Sequence, residues 1–168
     1  ARRTRKGDFL ELVGRLRDRI DNMNLTTDII VGFPGETELD WAQTLEVVER
    51  ADFGDVHVFS FSPRAGTAAA RMAPQVPSET LASRRQELLQ KARQQKLSSL
   101  QRMVGTTRKV LFEGVQDQGP TAIISGYTPE YHRLILPHDA DRRLSHLIRP
   151  VEITGVDEAS GCLTGRVS

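Results

Sequence analysis

Leu25-Thr26-Thr27-Asp28-Ile29-Ile30-Val31-Gly32-Phe33-Pro34-Gly35-Glu36-Thr37 is the stretch on which the fold turns. Residues 25–31 are short, rich in β-branched side chains and closed by Gly32, which reads as a buried strand. Gly32-Phe33-Pro34-Gly35 is a turn. Thr37, with Asp40 three residues later, resembles a capping box. Trp41, Leu45 and Val48 then mark the apolar face of a helix that runs to Asp52. Upstream, Phe9, Val13, Leu16 and Ile20 recur at helical spacing and predict an amphipathic helix over residues 7–20. Downstream, residues 55–61 read as a second strand. The order helix, strand, helix, strand predicts a parallel sheet with crossover helices.

Residues 62–77 are rich in Pro, Ala and Gly and read as a long loop, of a length that often carries function. Ser78 opens a predicted helix reaching Val104, with Leu81, Leu88, Ala92 and Met103 near one face. Its other positions are polar, so it is expected to be mostly solvated and to bridge two units. After Gly105 the pattern changes. Short β-like runs fall around Val110, Phe112 and Val115, then at 122–124, 133–136, 151–154 and 162–164. Five short strands within about 64 residues predict a small barrel of the OB type.

Composition bounds the function. The 168 residues suffice for one large domain or two small ones, and 38% hydrophobic content supports a core. The net charge of +1 excludes a uniformly basic coat for nucleic acid. Residues 1–19 carry seven basic and three acidic side chains, and residues 78–104 six and two. Residues 20–77 carry three and nine, and residues 105–168 seven and eight. The basic surface is therefore expected on two helices and not on the barrel as a whole. No apolar run of about 18 residues predicts a membrane span. The charged start, Ala1 to Lys6, lacks the apolar region of a signal peptide. It also lacks Met, which points to a processed chain or one cut from something longer. Cys162 is the single cysteine, which excludes an internal disulfide, a CxxC pair and a thiolate-held cluster within this chain. A reducing, cytoplasmic setting is expected.

The carboxyl ends of parallel strands are where α/β sheets hold ligands, and glycines let a flat ligand approach the backbone. The same glycines also serve a plain strand-to-helix turn, so both readings of Gly32 and Gly35 stand on the residues alone.

Three segments carry a resemblance, in this order along the chain. The 26–37 stretch is similar to a late barrel strand and turn of radical S-adenosylmethionine enzymes of the methylthiotransferase branch. Phe61-Ser62-Pro63-Arg64-Ala65-Gly66-Thr67-Ala68-Ala69 resembles that branch's Tyr-Ser-Pro-Arg-Pro-Gly-Thr-Pro-Ala segment, with Phe in place of Tyr and Ala65 and Ala68 in place of Pro. Gly126-Tyr127-Thr128-Pro129-Glu130-Tyr131 resembles the barrel of enzymes acting on threonylcarbamoyladenosine in tRNA, and the small C-terminal barrel looks like a TRAM domain. The resemblance implies an α/β partial (βα) barrel fragment with parallel strands over residues 1–77. A connecting helix over 78–104 follows, and then a small all-β OB-like (TRAM) barrel over 105–168.

For the parent enzyme the resemblance implies radical chemistry that places a methylthio group on carbon 2 of a modified adenosine in tRNA. S-adenosylmethionine and [4Fe-4S] clusters are the implied cofactors. Such clusters sit on a Cys-x3-Cys-x2-Cys loop and on cysteines of an N-terminal domain, and neither set exists here. This chain thus resembles the C-terminal half of a methylthiotransferase, inactive by itself. Its expected partners are tRNA and the missing N-terminal half that carries the cluster cysteines.

By the same resemblance, Asp28, Ile30, Gly32, Pro34, Glu36, Phe59 and Ser60 wall the cofactor site. Asp28 either hydrogen-bonds a cofactor hydroxyl or caps a turn. Glu36 either touches the cofactor or favours the following helix N-terminus. Arg64 lies near the active-site mouth and meets RNA phosphate, or is a solvated loop residue. Tyr127, Tyr131 and Arg133, beside His132, hold RNA by stacking and phosphate pairing, or the tyrosines anchor a turn. Arg84, Arg85, Lys91, Arg93 and Lys96 steer RNA or form a solvated helix face, the latter being the default. His57 is expected to be a packed polar residue and Cys162 a small core or edge residue. Two rival functions are a non-catalytic RNA-binding module and a methylthiotransferase acting on a ribosomal protein.

Overall fold

A computed structural model of the chain describes residues 5–116, 123–137 and 144–167. The fold divides into two compact units, residues 1–95 and 96–168.

The first unit begins with helix α1 (Lys6–Arg17), strand β1 (Thr26–Val31), helix α2 (Glu38–Ala51) and strand β2 (Asp55–Ser60). β1 and β2 pair in parallel, with Asp28 opposite His57, Ile30 opposite Phe59 and Val31 opposite Ser60. Side chains alternate across the pair. Val31 and Val56 are buried, and Ile29 and Val58 pack partly buried on the same core. Trp41, Val48 and Ala51 of α2 complete it, together with Phe53. A side chain as fully buried as Val48 contributes roughly 1.5–3 kcal/mol relative to exposure.

The other face of the pair differs from the expectation of a buried strand. Ile30 is 54% exposed and Phe59 53% exposed. Parallel sheets are normally covered on both sides, and among the described residues only one side of this pair is closed over. α1 also ends earlier than its periodicity suggests. Ile20 is 48% exposed and adds nothing to the apolar stripe. Arg17 instead turns its guanidinium to donate to the carbonyl oxygens of Ala51 (2.6 Å) and Asp52 (2.8 Å), satisfying the C-terminus of α2.

The capping box of α2 is present in both directions. Thr37 Oγ1 accepts from the Asp40 amide (3.2 Å), and Asp40 Oδ2 accepts from the Thr37 amide (3.0 Å). Helix α3 (Ser78–Gln101) crosses the division between the units. Its Leu88 and Ala92 belong to the first core, and Leu100 to the second.

The second unit is a closed barrel of β3 (Thr107–Gln116), β4 (Ile123–Tyr127), β5 (Arg133–Pro137), β6 (Ile148–Asp157) and β7 (Cys162–Val167), in the order β3-β4-β5-β7-β6. β5 and β7 run parallel and the other neighbours antiparallel. Register shifts at Phe112/Gly114 in β3 and Ile153/Gly155 in β6 bend the strands so that the sheet can close. Phe112, Ile124, Leu134, Val151, Ile153 and Leu163 fill the interior. Gly126 is required by close approach, since a Cβ there would lie 2.5 Å from the Leu111 carbonyl oxygen.

Candidate functional site

At the carboxyl ends of β1 and β2 the open face of the pair deepens into a cleft of about 500 Å³. Asp28, Ile30, Phe59 and Ser60 line it, with Phe33 and Phe61 as further walls and Arg64 at its rim. The pairing explains the gathering. Ile30 and Phe59 are register partners, so their side chains lie side by side on the uncovered face. The Phe61 amide donates to the Val31 carbonyl oxygen (2.8 Å), which carries the ladder one step past β2 and directs the chain across the cleft mouth. Phe61 and Phe33 then meet edge to face, 5.4 Å between centroids. A turn closed by Thr67, whose amide (3.2 Å) and hydroxyl (2.8 Å) both donate to the Arg64 carbonyl oxygen, positions Arg64.

Gly32, Pro34 and Glu36 are not brought to the cleft lining. Gly32 and Pro34 are buried in the turn that follows β1. Gly32 takes a φ of +76°, and a Cβ there would lie 2.7 Å from Leu81 Cδ1. Glu36 points away from the cleft. Its Oε2 accepts from the Gly32 amide (3.0 Å) and from Arg84 Nη1 (2.7 Å). Arg84 Nη2 also donates to Glu38 Oε1 (2.6 Å), and the guanidinium lies 5.8 Å from the Trp41 ring centroid. Burial alone would lower the Arg84 pKa, but its hydrogen bonds to Glu38 and Glu36 reverse that and hold it above its ordinary value.

Arg84 overturns the expectation of a solvated cation, since only 4% of the residue is exposed. The sequence held a signal for it. Leu81, Arg84, Leu88 and Ala92 follow one another at helical spacing on the same face of α3, and that face is the packed one. His57 is likewise not packed. It is exposed on the open face, opposite Asp28 in register. Cys162 is buried at the start of β7, with its thiol 3.6 Å from the Ser160 carbonyl oxygen.

In the barrel, the tight turn from β4 to β5 brings the aromatic residues together. The Thr128 amide donates to the His132 carbonyl oxygen (3.0 Å), and the Tyr131 amide to that of Thr128 (2.9 Å). Tyr131 adopts a φ of 65° and is 77% exposed. Its ring stacks on Tyr127 at 4.7 Å and 22°. Arg133 is the register partner of Tyr127 across this turn. The row continues through Leu111 on β3 and Ile148 on β6, 48% and 58% exposed. Sequence reasoning singled out neither: Leu111 sits between the apolar Val110 and Phe112, and Ile148 lies upstream of the 151–154 run.

No family model matches the chain. Curated proteins do. A threonylcarbamoyladenosine tRNA methylthiotransferase of Thermotoga maritima is 42% identical over 130 residues, covering 77% of this chain and 29% of that protein. A tRNA-2-methylthio-N(6)-dimethylallyladenosine synthase of Desulfitobacterium hafniense is 39% identical over 132 residues, 79% of this chain and 29% of that protein. A synthase of the same name from Akkermansia muciniphila is 36% identical over 157 residues, 94% of this chain and 33% of that protein. The chain therefore spans about a third or less of the length of these relatives. It is homologous to the tRNA methylthiotransferases and corresponds to their C-terminal region.

Proposed function

We propose that this chain is a C-terminal piece of a radical S-adenosylmethionine methylthiotransferase that adds a methylthio group to carbon 2 of threonylcarbamoyladenosine in tRNA. In this reading residues 1–77 are the last part of a partial (βα) barrel, 78–104 the connecting helix, and 105–168 a TRAM-type barrel that holds RNA. The observation that carries it is the uncovered face of the parallel pair. A face with Ile30 and Phe59 half exposed around a cleft belongs to a larger body whose interior it lines.

The residues present fit the adenosyl part of S-adenosylmethionine. Ile30, Phe59, Phe33 and Phe61 offer apolar surface to a flat base, while Asp28 and Ser60 offer a hydroxyl partner each. When bound, that group supplies the hydrogen-abstracting fragment and the methyl group. This chain's residues orient it, keep water from its apolar side and place Arg64 where a carboxylate or phosphate would arrive. The residues present do not fit an iron–sulfur cluster. Cys162 is the single cysteine, and among the described residues no group of three or more His, Cys, Asp or Glu is placed to hold a metal. The clusters belong, in this reading, to the part of the relatives that the chain does not span.

The turn at Tyr127–Arg133 supports RNA contact through a stacked aromatic pair beside a cation. The 126–131 segment favours threonylcarbamoyladenosine over dimethylallyladenosine. The test joins this chain to the cluster-carrying portion of the Thermotoga maritima relative and assays modified tRNA by nucleoside mass spectrometry. A methylthio group on threonylcarbamoyladenosine is expected. Modification of dimethylallyladenosine alone, or of a ribosomal protein instead of tRNA, overturns the assignment.

A further inference from the structure

We propose that Arg84 is a positioning residue for the cofactor cleft: from helix α3 it fixes, through Glu36, the Gly32–Phe33 turn that forms one wall of that cleft. This rests on reading the cleft as the S-adenosylmethionine site.

The chain of contacts is continuous. Arg84 Nη1 donates to Glu36 Oε2 (2.7 Å) and to the Glu36 carbonyl oxygen (3.3 Å), and Nη2 to Glu38 Oε1 (2.6 Å). The same Glu36 oxygen accepts from the Gly32 amide (3.0 Å). One helical turn earlier on α3, Leu81 lies on the bare Cα of Gly32. Two residues of α3 thus grip one glycine, Leu81 by contact and Arg84 through a carboxylate. Phe33, the next residue, lines the cleft. The Arg84 and Glu36 side chains are only 5% and 11% exposed. Without Arg84 the Glu36 carboxylate is an unpaired buried charge. It must turn toward water, and in doing so it releases the Gly32 amide. Arg84 itself is not among the residues lining the cleft, so its influence on a ligand there passes through the backbone of the turn.

The test has two readouts. The first is amide hydrogen exchange at Gly32 in this chain. Arg84→Gln is expected to speed it by about ten-fold or more, and Arg84→Lys, which keeps a cation beside Glu36, to restore most of the protection. The second is S-adenosylmethionine affinity, measured on the folded fraction of the chain joined to the cluster-carrying portion of the Thermotoga maritima relative. Arg84→Gln is expected to raise the Kd by about ten-fold, since small misplacements of a binding wall are costly. Lys91→Met breaks a different α2–α3 ion pair, Lys91–Glu49 at 2.9 Å, and is expected to leave both readouts unchanged. Ile30→Glu, in the cleft floor, checks the cofactor reading itself. If Gly32 stays protected in Arg84→Gln, the clamp is wrong. If Ile30→Glu raises the Kd and Arg84→Gln does not, the clamp has no role in binding. If Lys91→Met matches Arg84→Gln in both readouts, the effect is general helix packing and the proposal falls. If Ile30→Glu leaves the Kd unchanged, the cofactor reading fails and the proposed role goes with it.

Discussion

Tyr131 lies nearly parallel to Tyr127, 4.7 Å between ring centroids, while its own backbone sits in the left-handed region at a φ of 65°. A bulky side chain in that region is strained unless something holds it. Here the turn hydrogen bonds and the partner ring do so, and the outer face of Tyr131 is left to solvent. The ring is displayed at a conformational cost that glycine would avoid.

That cost separates fold from function in one experiment. Tyr131→Gly is expected to leave the melting temperature unchanged or slightly raised, because glycine relieves the strain. The same change is expected to weaken tRNA binding by roughly 1–3 kcal/mol if a base stacks on this ring. Titrations at one fixed salt concentration check it, since the phosphate contribution varies with salt. Unchanged affinity would remove Tyr131 from the interface.

The Arg84–Glu36 pair should behave as a buried ion pair. Arg84→Met is expected to cost roughly 3–5 kcal/mol, because it strands the carboxylate. Adding Glu36→Gln removes the stranded charge while keeping an acceptor for the Gly32 amide, and is expected to recover part of the loss. Urea denaturation of the two single variants and the double variant gives the coupling.

Two glycines should respond in opposite directions. Gly126→Ala would drive a Cβ to 2.5 Å from the Leu111 carbonyl oxygen, and backbone on that side has nowhere to move. A loss of about 1–3 kcal/mol is expected. Gly14, in the exposed middle of α1, has no atom within 4 Å of a built Cβ. Gly14→Ala is expected to stabilise by about 0.5–1 kcal/mol through helix propensity. Thermal melts of both variants check the signs.

Asp40 accepts hydrogen bonds from the Thr37 side chain and backbone, and these hold its carboxyl below the ordinary value of 3.8. A depressed carboxylate contributes stability that is fully present above 3.8 and is lost as the pH falls through the lower folded value. Asp40→Asn is therefore expected to lower stability at neutral pH and to flatten the stability profile below that value. A pH series of urea midpoints for wild type and variant checks it.

Much of this was legible from local signals. The helix before β1, the capping box at Thr37 and the parallel order follow from period and punctuation. The later β-like runs likewise precede a closed barrel of five strands. Of the cofactor candidates that the resemblance implied, Asp28, Ile30, Phe59 and Ser60 do meet at one cleft, the first three on the open face of the pair and Ser60 at the end of β2. Two things were hidden. Glu36 faces α3, and nothing local reveals that its partner lies 48 residues away. Spacing puts Arg84 on the same face as Leu81, Leu88 and Ala92, but what it does there is recognised only when the carboxylates it serves are in place. Leu111 and Ile148 were hidden for another reason. Val110, Leu111 and Phe112 are apolar in succession although only the first and third are buried, and Ile148 lies before the 151–154 run, so these outer residues cannot be told from inner ones by type.

The barrel closes through β5 and β7, which run parallel and are joined in register at Leu134–Leu163 and Ile135–Thr164. The neighbouring β6–β7 ladder is antiparallel and runs from Val151–Val167 to Asp157–Cys162. A short parallel junction is a weak zipper, so this cylinder should breathe there first, with transient parting between Leu134 and Leu163 giving solvent its earliest entry to the interior.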